Sequence, residues 1–297
     1  MKNQIHQNAK HLRFSLFAFL VFLLVACSSA PKKATEVFTE RNTAINQLNL
    51  ANQTASHGRY NDALVILEEA RRLAISTDDP SLRIKTLISR GSILFSLGQR
   101  SQAFEDWENA IVEAEASKEG ILAAQARIYM IRASIVQLGA GGSGDITAAV
   151  EEYKVKLSSE MLTVRSDPFS TAVGNVTLGL AEKELGHWAE AENAVKRALT
   201  FHEKSLVLEE AAYDWFLIGS IRSIAGNYGA ALEALETAIS FDRRAENGFG
   251  LASSWQAMGD VFQKAGQAEE ARTAWRRAAD IYMAIGFKEL AERLEGQ

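Results

Sequence analysis

The residues able to do chemistry are few, and their spacing does not serve it. The run Gly139-Ala-Gly141-Gly-Ser-Gly144 satisfies G-x-G-x-x-G. A helical pattern precedes it rather than a strand, and Asp145 stands where a phosphate loop needs Lys, so it reads as a lengthened, exposed turn. Of five histidines, His6 and His11 lie in the basic N-terminal segment, and His57 and His187 flank glycines far apart in the chain. His202-Glu203 does not open an HExxH zinc site. His57, His187 and His202 are expected on the surface or at helix ends. No nucleophile, base and orienting group can be assembled from spacing, so neither an enzyme nor a cofactor or metal is expected. Cys27 is the only cysteine, which excludes an intrachain disulfide and a cysteine-based metal cluster. Acidic pairs such as Glu68-Glu69 and Glu269-Glu270 stand beside Arg at helical spacing and form a solvated, ion-paired face. The tryptophans at 107, 188, 215, 255 and 275 recur at matching positions and are expected in the core.

These residues need elements to hold them, and the segment 1–27 stands apart from the rest. A basic stretch ending at Arg13 precedes an apolar run from Phe14 to Ala26, interrupted by one Ser. That is short of the roughly 20 apolar residues of a membrane-spanning helix and fits the hydrophobic core of a secretory signal. It ends at Leu24-Val25-Ala26-Cys27, followed by Ser28-Ser29-Ala30-Pro31-Lys32-Lys33. This resembles a bacterial lipobox. The resemblance implies cleavage before Cys27, diacylation of its sulfur, and two buried chains, enough for stable anchoring. Ser28, rather than Asp, implies an outer-membrane address, facing the periplasm. Residues 28–36 then act as a tether.

The remaining chain repeats itself. A glycine, an Ala five residues on and an Ala twelve residues on recur as Gly58/Ala63/Ala70, Gly98/Ala103/Ala110, Gly186/Ala191/Ala198, Gly226/Ala231/Ala238 and Gly266/Ala271/Ala278. The interval from Gly58 to Gly98 is the same as from Gly186 to Gly226 and from Gly226 to Gly266, whereas Gly98 to Gly186 spans two such periods plus eight. A period of this size marks a stacked repeat architecture. Three prolines in 297 residues suit long helices, and Asp79-Pro80 and Asp167-Pro168 read as helix starts. With Lys2, Lys10 and Arg13 set aside, 37 acidic residues face 29 basic ones, which argues against nucleic acid as a partner.

Within one unit, Trp215, Ile218, Gly219 and Arg222 precede Gly226, and Tyr228, Ala231, Leu235 and Ala238 follow it. The last unit reads Trp255, Met258, Gly259, Phe262, Gly266, Ala271, Trp275 and Ala278. These spacings place apolar residues on one stripe of each of two helices, with small residues where backbones approach. The set resembles the tetratricopeptide repeat family, in its longer, 40-residue subtype. The resemblance implies an all-α, right-handed solenoid of about six helix pairs over residues 37–297, with a capping helix over about Phe287 to Leu294. The third unit is degenerate: a helix from about Ile121 to Leu138, the glycine-rich turn, then a helix capped by Asp145 and carrying Ala149 and Tyr153.

In this family the first helix of each unit lines the concave face. Its offsets, at positions −10, −6 and −3 from the turn glycine, give Leu48, Asn52 and Ala55; Ile88, Ser92 and Phe95; and Val176, Leu180 and Lys183. Counted from Gly139 they give Tyr129, Ala133 and Val136; later units give Phe216, Ser220 and Ser223, then Gln256, Asp260 and Gln263. The groove is expected to be apolar, with hydroxyls in the middle and a polar C-terminal end. Family members that grip terminal carboxylates use Lys and Asn at such sites; Asn52 matches, whereas Leu48 replaces the Lys. An apolar, aromatic concavity suits a helix or extended segment of a partner protein. The expectation is therefore a lipid-anchored interaction scaffold of the bacterial envelope with an assembly or accessory role. The alternative is an accessory of a transporter holding an apolar ligand in the groove.

Overall fold

The computed structural model describes residues 38–141 and 144–296. The leader 1–27, with Cys27, and the tether 28–36 lie outside the described residues. Among the described residues there are thirteen α-helices and no strand. In chain order they are α1 (Thr39–Ser56), α2 (Tyr60–Ser76), α3 (Pro80–Ser96), α4 (Arg100–Ala116), α5 (Gly120–Ala140), α6 (Thr147–Val164) and α7 (Pro168–Glu184). There follow α8 (Trp188–Lys204), α9 (Leu208–Ile224), α10 (Tyr228–Ala245), α11 (Gly248–Lys264), α12 (Ala268–Ala284) and α13 (Lys288–Glu295). Consecutive helices pack as six hairpins, and α13 covers the last one. The fold is an α-solenoid.

Four of the six hairpins close on a glycine of the first helix set against a large side chain of the second. Gly91 on α3 leaves room for Trp107 on α4: a Cβ there would lie 2.5 Å from Trp107 Nε1. The same clash, at 2.3 to 2.8 Å, would meet a Cβ at Gly179 against Val195, at Gly219 against Leu235, and at Gly259 against Trp275. The tryptophan positions differ in burial. Trp107 and Trp275 are buried, with their indole N–H groups donating to Ile88 O (3.1 Å) and Asp260 Oδ1 (2.9 Å). Trp188, Trp215 and Trp255 are half-buried, and Arg277 stacks over the Trp255 ring.

Two left-handed residues turn the chain in every unit but the third. Within units they are Gly58, Gly98, Gly186, Gly226 and Gly266, with φ of 76° to 81°. Between units they are Asp78, Lys118, Leu206 and Glu246 (φ 47° to 61°) and Gly286 (φ 90°). At both kinds of turn the residue after the left-handed one donates its N–H to a carbonyl five residues back, as in Gln99→Leu94 and Val207→His202. This is the Schellman closure, which satisfies helix-end carbonyls. Asp79 and Asp167 cap α3 and α7 as expected, accepting from Leu82 N and Ser170 N. The third unit departs from the expected frame. Helix α5 runs through Gly139 to Ala140, and the left-handed glycine is Gly144 (φ 141°). Asp145 accepts from Thr147 N one position outside α6 rather than as its cap residue.

First helices of successive units (α3 with α5, α5 with α7, α9 with α11) approach one another more closely than successive second helices do, so they form the inside of the curve. The curvature brings the first unit to the last. His57 Nε2 lies 3.2 Å from Ala245 O, Tyr60 packs edge-on to Phe249, and Phe287 covers Gly58. A cleft of about 320 Å³ lies along this seam, between Gly58–Asp62 and Ile285–Phe287.

Gly98 has no atom within 4 Å of a built Cβ, so Gly98→Ala isolates the cost of φ 76°, and thermal unfolding is expected to show a loss of about 1–2 kcal/mol. Gly58→Ala should cost more, because its Cβ would lie 3.0 Å from Phe287 as well. Leu206→Gly, at φ 57° and exposed, should stabilise.

Candidate functional site on the inner face

The groove residues expected from the sequence divide into two groups. Leu48, Ile88, Val176 and Leu180 are buried and wedge between neighbouring helices, as is Ala133. Asn52 is exposed, Val136 is 38% exposed, and Phe95, Tyr129, Phe216 and Ser220 are half-buried. The Ser92 hydroxyl donates to Ile88 O within its own helix, and Ser223 accepts from Lys264 Nζ at 3.5 Å. Lys183 pairs with Glu184, Gln256 accepts from the Tyr282 hydroxyl, and Asp260 accepts from Trp275, so these polar groups are engaged internally.

The inner aromatics form two stacks. Tyr129 lies parallel to Trp107 at 6.3 Å, with Phe95 against the same indole at 6.0 Å. Tyr213 stacks on Phe216 at 6.2 Å. Arg132 on α5 reaches two units along to sit 5.1 Å over the Tyr213 ring on α9, a cation–π contact that links the two helices. Burial opposes the charge of Arg132, but the phenols of Tyr213 and Tyr129, together with the nearby Asp214 carboxyl, more than offset it, so its pKa is raised. Among the described residues no carboxylate lies within ion-pair distance of its guanidinium. Glu210, one turn before Asp214 on α9, is pushed up from the usual carboxylate range by burial. The sequence offsets miss Arg132 and Tyr213. Counting from Gly139 passes over Arg132 because α5 is elongated to 21 residues, and Tyr213 lies three residues before the first offset counted from Gly226.

Behind the inner face, buried polar joints link units four, five and six. His202, expected near the surface, is buried on α8, and its Nδ1 shares a 2.7 Å hydrogen bond with buried Asp214 Oδ2 on α9. His202 Nε2 and Asp214 Oδ1 have no further partner among the described residues. One period on, Asp242 accepts from Asn247 Nδ2 (2.8 Å) and Ser254 Oγ (3.4 Å). Burial raises both carboxyls, Asp242 to about 7. In earlier units the same positions hold Ala74 and Thr86, and Ala114 and Ala126. The period carries the signal: a small residue is replaced by His or Asp, with a polar partner twelve residues later.

Elsewhere the carboxylate pairs behave as solvated faces, with Arg71–Glu68, Arg72–Glu69 and Arg272–Glu269 in contact. His187 pairs with Glu182 at the surface. Among the described residues there is no group of three or more His, Cys, Asp or Glu placed to hold a metal, and no helix long and apolar enough to cross a membrane.

The α9–α10 hairpin decides the type of repeat. Residues 215–244 match the tetratricopeptide repeat family. The solenoid is built of tetratricopeptide-like helix pairs, and solved structures agree. A Rap protein complexed with competence and sporulation factor matches at a TM-score of 0.55 and 14% identity, over 84% of this chain and 72% of that one. A signal transduction ATPase with numerous domains, carrying a tetratricopeptide repeat sensor, from Pyrococcus horikoshii, matches at 0.57 and 14%, over 88% of this chain and 43% of that one. BtubC (BKLC) from P. vanneervenii matches at 0.52 and 17%, over 78% and 91%. At these identities the likeness is one of fold. No curated protein matches the chain in sequence.

His202→Ala should cost about 3 kcal/mol by leaving a buried carboxyl unpaired, while His202→Ala with Asp214→Ala, which recreates the Ala114/Ala126 joint, should cost less than that single change in denaturant unfolding. Asp242 binds its proton more tightly folded than unfolded, so its contribution to stability is largest below pH 4 and falls as pH rises from about 4 to about 7. Asp242→Asn should remove up to ~4 kcal/mol of that decline, read as the difference between the two unfolding pH profiles.

Proposed function

We propose that this chain is a scaffold that binds a protein partner on its inner face and is held to a bacterial membrane through acylated Cys27. The observation that carries the partner-binding half is the Arg132-bridged aromatic surface of α5 and α9. It combines half-buried rings, an exposed Val136 and a cation without a carboxylate partner, a mixture suited to a protein segment. An apolar solute would leave Arg132 and Glu210 unpaired against it, so the charge favours the protein reading over a transporter accessory. The anchoring half rests on the lipobox-like Leu24–Cys27, whose implied address is the cell envelope, at the outer membrane facing the periplasm. An assembly or accessory role suits a fold that offers surface to other chains. Of the similar structures, the Rap protein was solved in complex with competence and sporulation factor, which supports a partner-binding use of this fold.

Two measurements separate the halves. Palmitate should label the wild-type chain and not Cys27→Ala; label that survives the substitution overturns the anchoring. A photo-crosslinking phenylalanine analogue at Phe216 should capture a discrete partner in membranes, while the same probe at Val112, exposed on the second-helix side, should not. Equal capture at both positions, or none at Phe216, overturns the inner-face reading.

A further inference from the structure

The exposed apolar residues of this molecule are distributed unevenly between its two rims. Because the helices alternate in direction, every first helix begins on the rim that carries the turns between units, and every first helix ends on the opposite rim. Six exposed large apolar residues lie within three positions of helix ends on the first rim: Ile75, Ile121, Leu162, Phe169, Leu206 and Met283. On the opposite rim there is one among the described residues, Ile224. Every inter-unit turn except the one at Glu246 therefore presents an apolar side chain. Leu206 is the clearest case: it is 73% exposed and occupies a left-handed position where a leucine gains nothing from the backbone. A single exposed leucine needs no explanation, but a one-sided row does.

The chain itself indicates what covers the row. Helix α1 begins on this same rim, and Phe38, 49% exposed, immediately precedes it in the sequence. Ten residues separate Phe38 from Cys27, a covalent reach of at most about 40 Å. The tether therefore enters the fold on this rim, and since its reach exceeds the roughly 25 Å length of a 17-residue helix, the apolar row rather than tether length selects the face that meets the membrane. The rim is mixed in charge, with Lys118 and Arg165 offset by Asp78 and Glu246, so attraction to anionic lipid is not its basis. Apolar side chains at separate turns suit shallow insertion at the headgroup boundary.

We propose that the inter-unit rim lies against the bilayer to which the chain is anchored, with Leu206 and Leu162 entering the interface. This orients the solenoid, presenting the rim with Gly98, Gly186, Gly226 and Gly266 to the aqueous compartment. The inference rests on the acylation of Cys27 proposed above. Because acylation would consume that thiol, a single introduced cysteine gives a unique label on the lipidated full-length product. Leu206→Cys and, on the opposite rim, exposed Gln267→Cys are each labelled with bimane and reconstituted in vesicles of phosphatidylethanolamine and phosphatidylglycerol containing doxyl-labelled lipid. The expected result is quenching at position 206 of about two-fold or more, insensitive to salt, with none at 267. Protein that floats with the vesicles but shows equal quenching at both positions, or none at 206, overturns the rim assignment. Protein that does not float overturns the anchoring reading and the rim assignment with it.

Discussion

The contact on which this architecture depends is a missing side chain. Gly91, Gly179, Gly219 and Gly259 remove the Cβ on the first helix of a unit where the second helix places Trp107, Val195, Leu235 or Trp275 sixteen residues later. Helix backbones can then close to the distance at which a large side chain spans the gap without a void. The cost is a glycine inside a helix, on the order of 1 kcal/mol each, offset by burial of a large side chain. Everything at longer range assumes that these hairpins are rigid. The curvature places α1 on the inside and lets Tyr60 reach Phe249, and it follows from six hairpins, four of them closed in this way, stacked in one sense.

A second constraint is the half-period set by the two turns. Left-handed residues at 58, 78, 98 and 118, and again from 186 to 286, reverse the chain after helices of nearly constant length. Because the turns within units use glycine and those between units mostly do not, strain falls on the inter-unit rim, the one that carries the exposed Leu206. The third unit breaks the count: α5 gains a turn and the glycine run follows, yet α7 to α12 resume the period. The insertion is absorbed where the first helix could lengthen along the inner face, at the end of α5 beyond Arg132, which keeps its place over Tyr213.

The repeat pattern makes the helices, the turns and the cap legible, because each depends on residue types at fixed local offsets. The inner face is legible only in part. Tyr129, Phe216, Phe95 and Val136 stand where the offsets place them. Leu48, Ile88, Val176 and Leu180 instead complete the packing between neighbouring units, since an offset gives the direction of a side chain but not the distance to the next helix. Arg132 is hidden by the break in the frame. His202 reads from the sequence as a helix-end residue because its partner Asp214 belongs to the following unit, and a burial that depends on two hairpins is not written in either one.

What the sequence by itself determined is the unit: helix, left-handed turn, helix, with small against large, repeated until α13 ends it. These are local choices, decided by sterics within one period. What only the tertiary structure decided is how the units lean. The lean sets the seam between His57 and Ala245, the bridge from Arg132 to Tyr213, the buried joints at His202 and Asp242, and the rim on which α1 begins. It is the sum of small rotations at the interfaces between units, each set by the volumes and charges that two separate hairpins bring together.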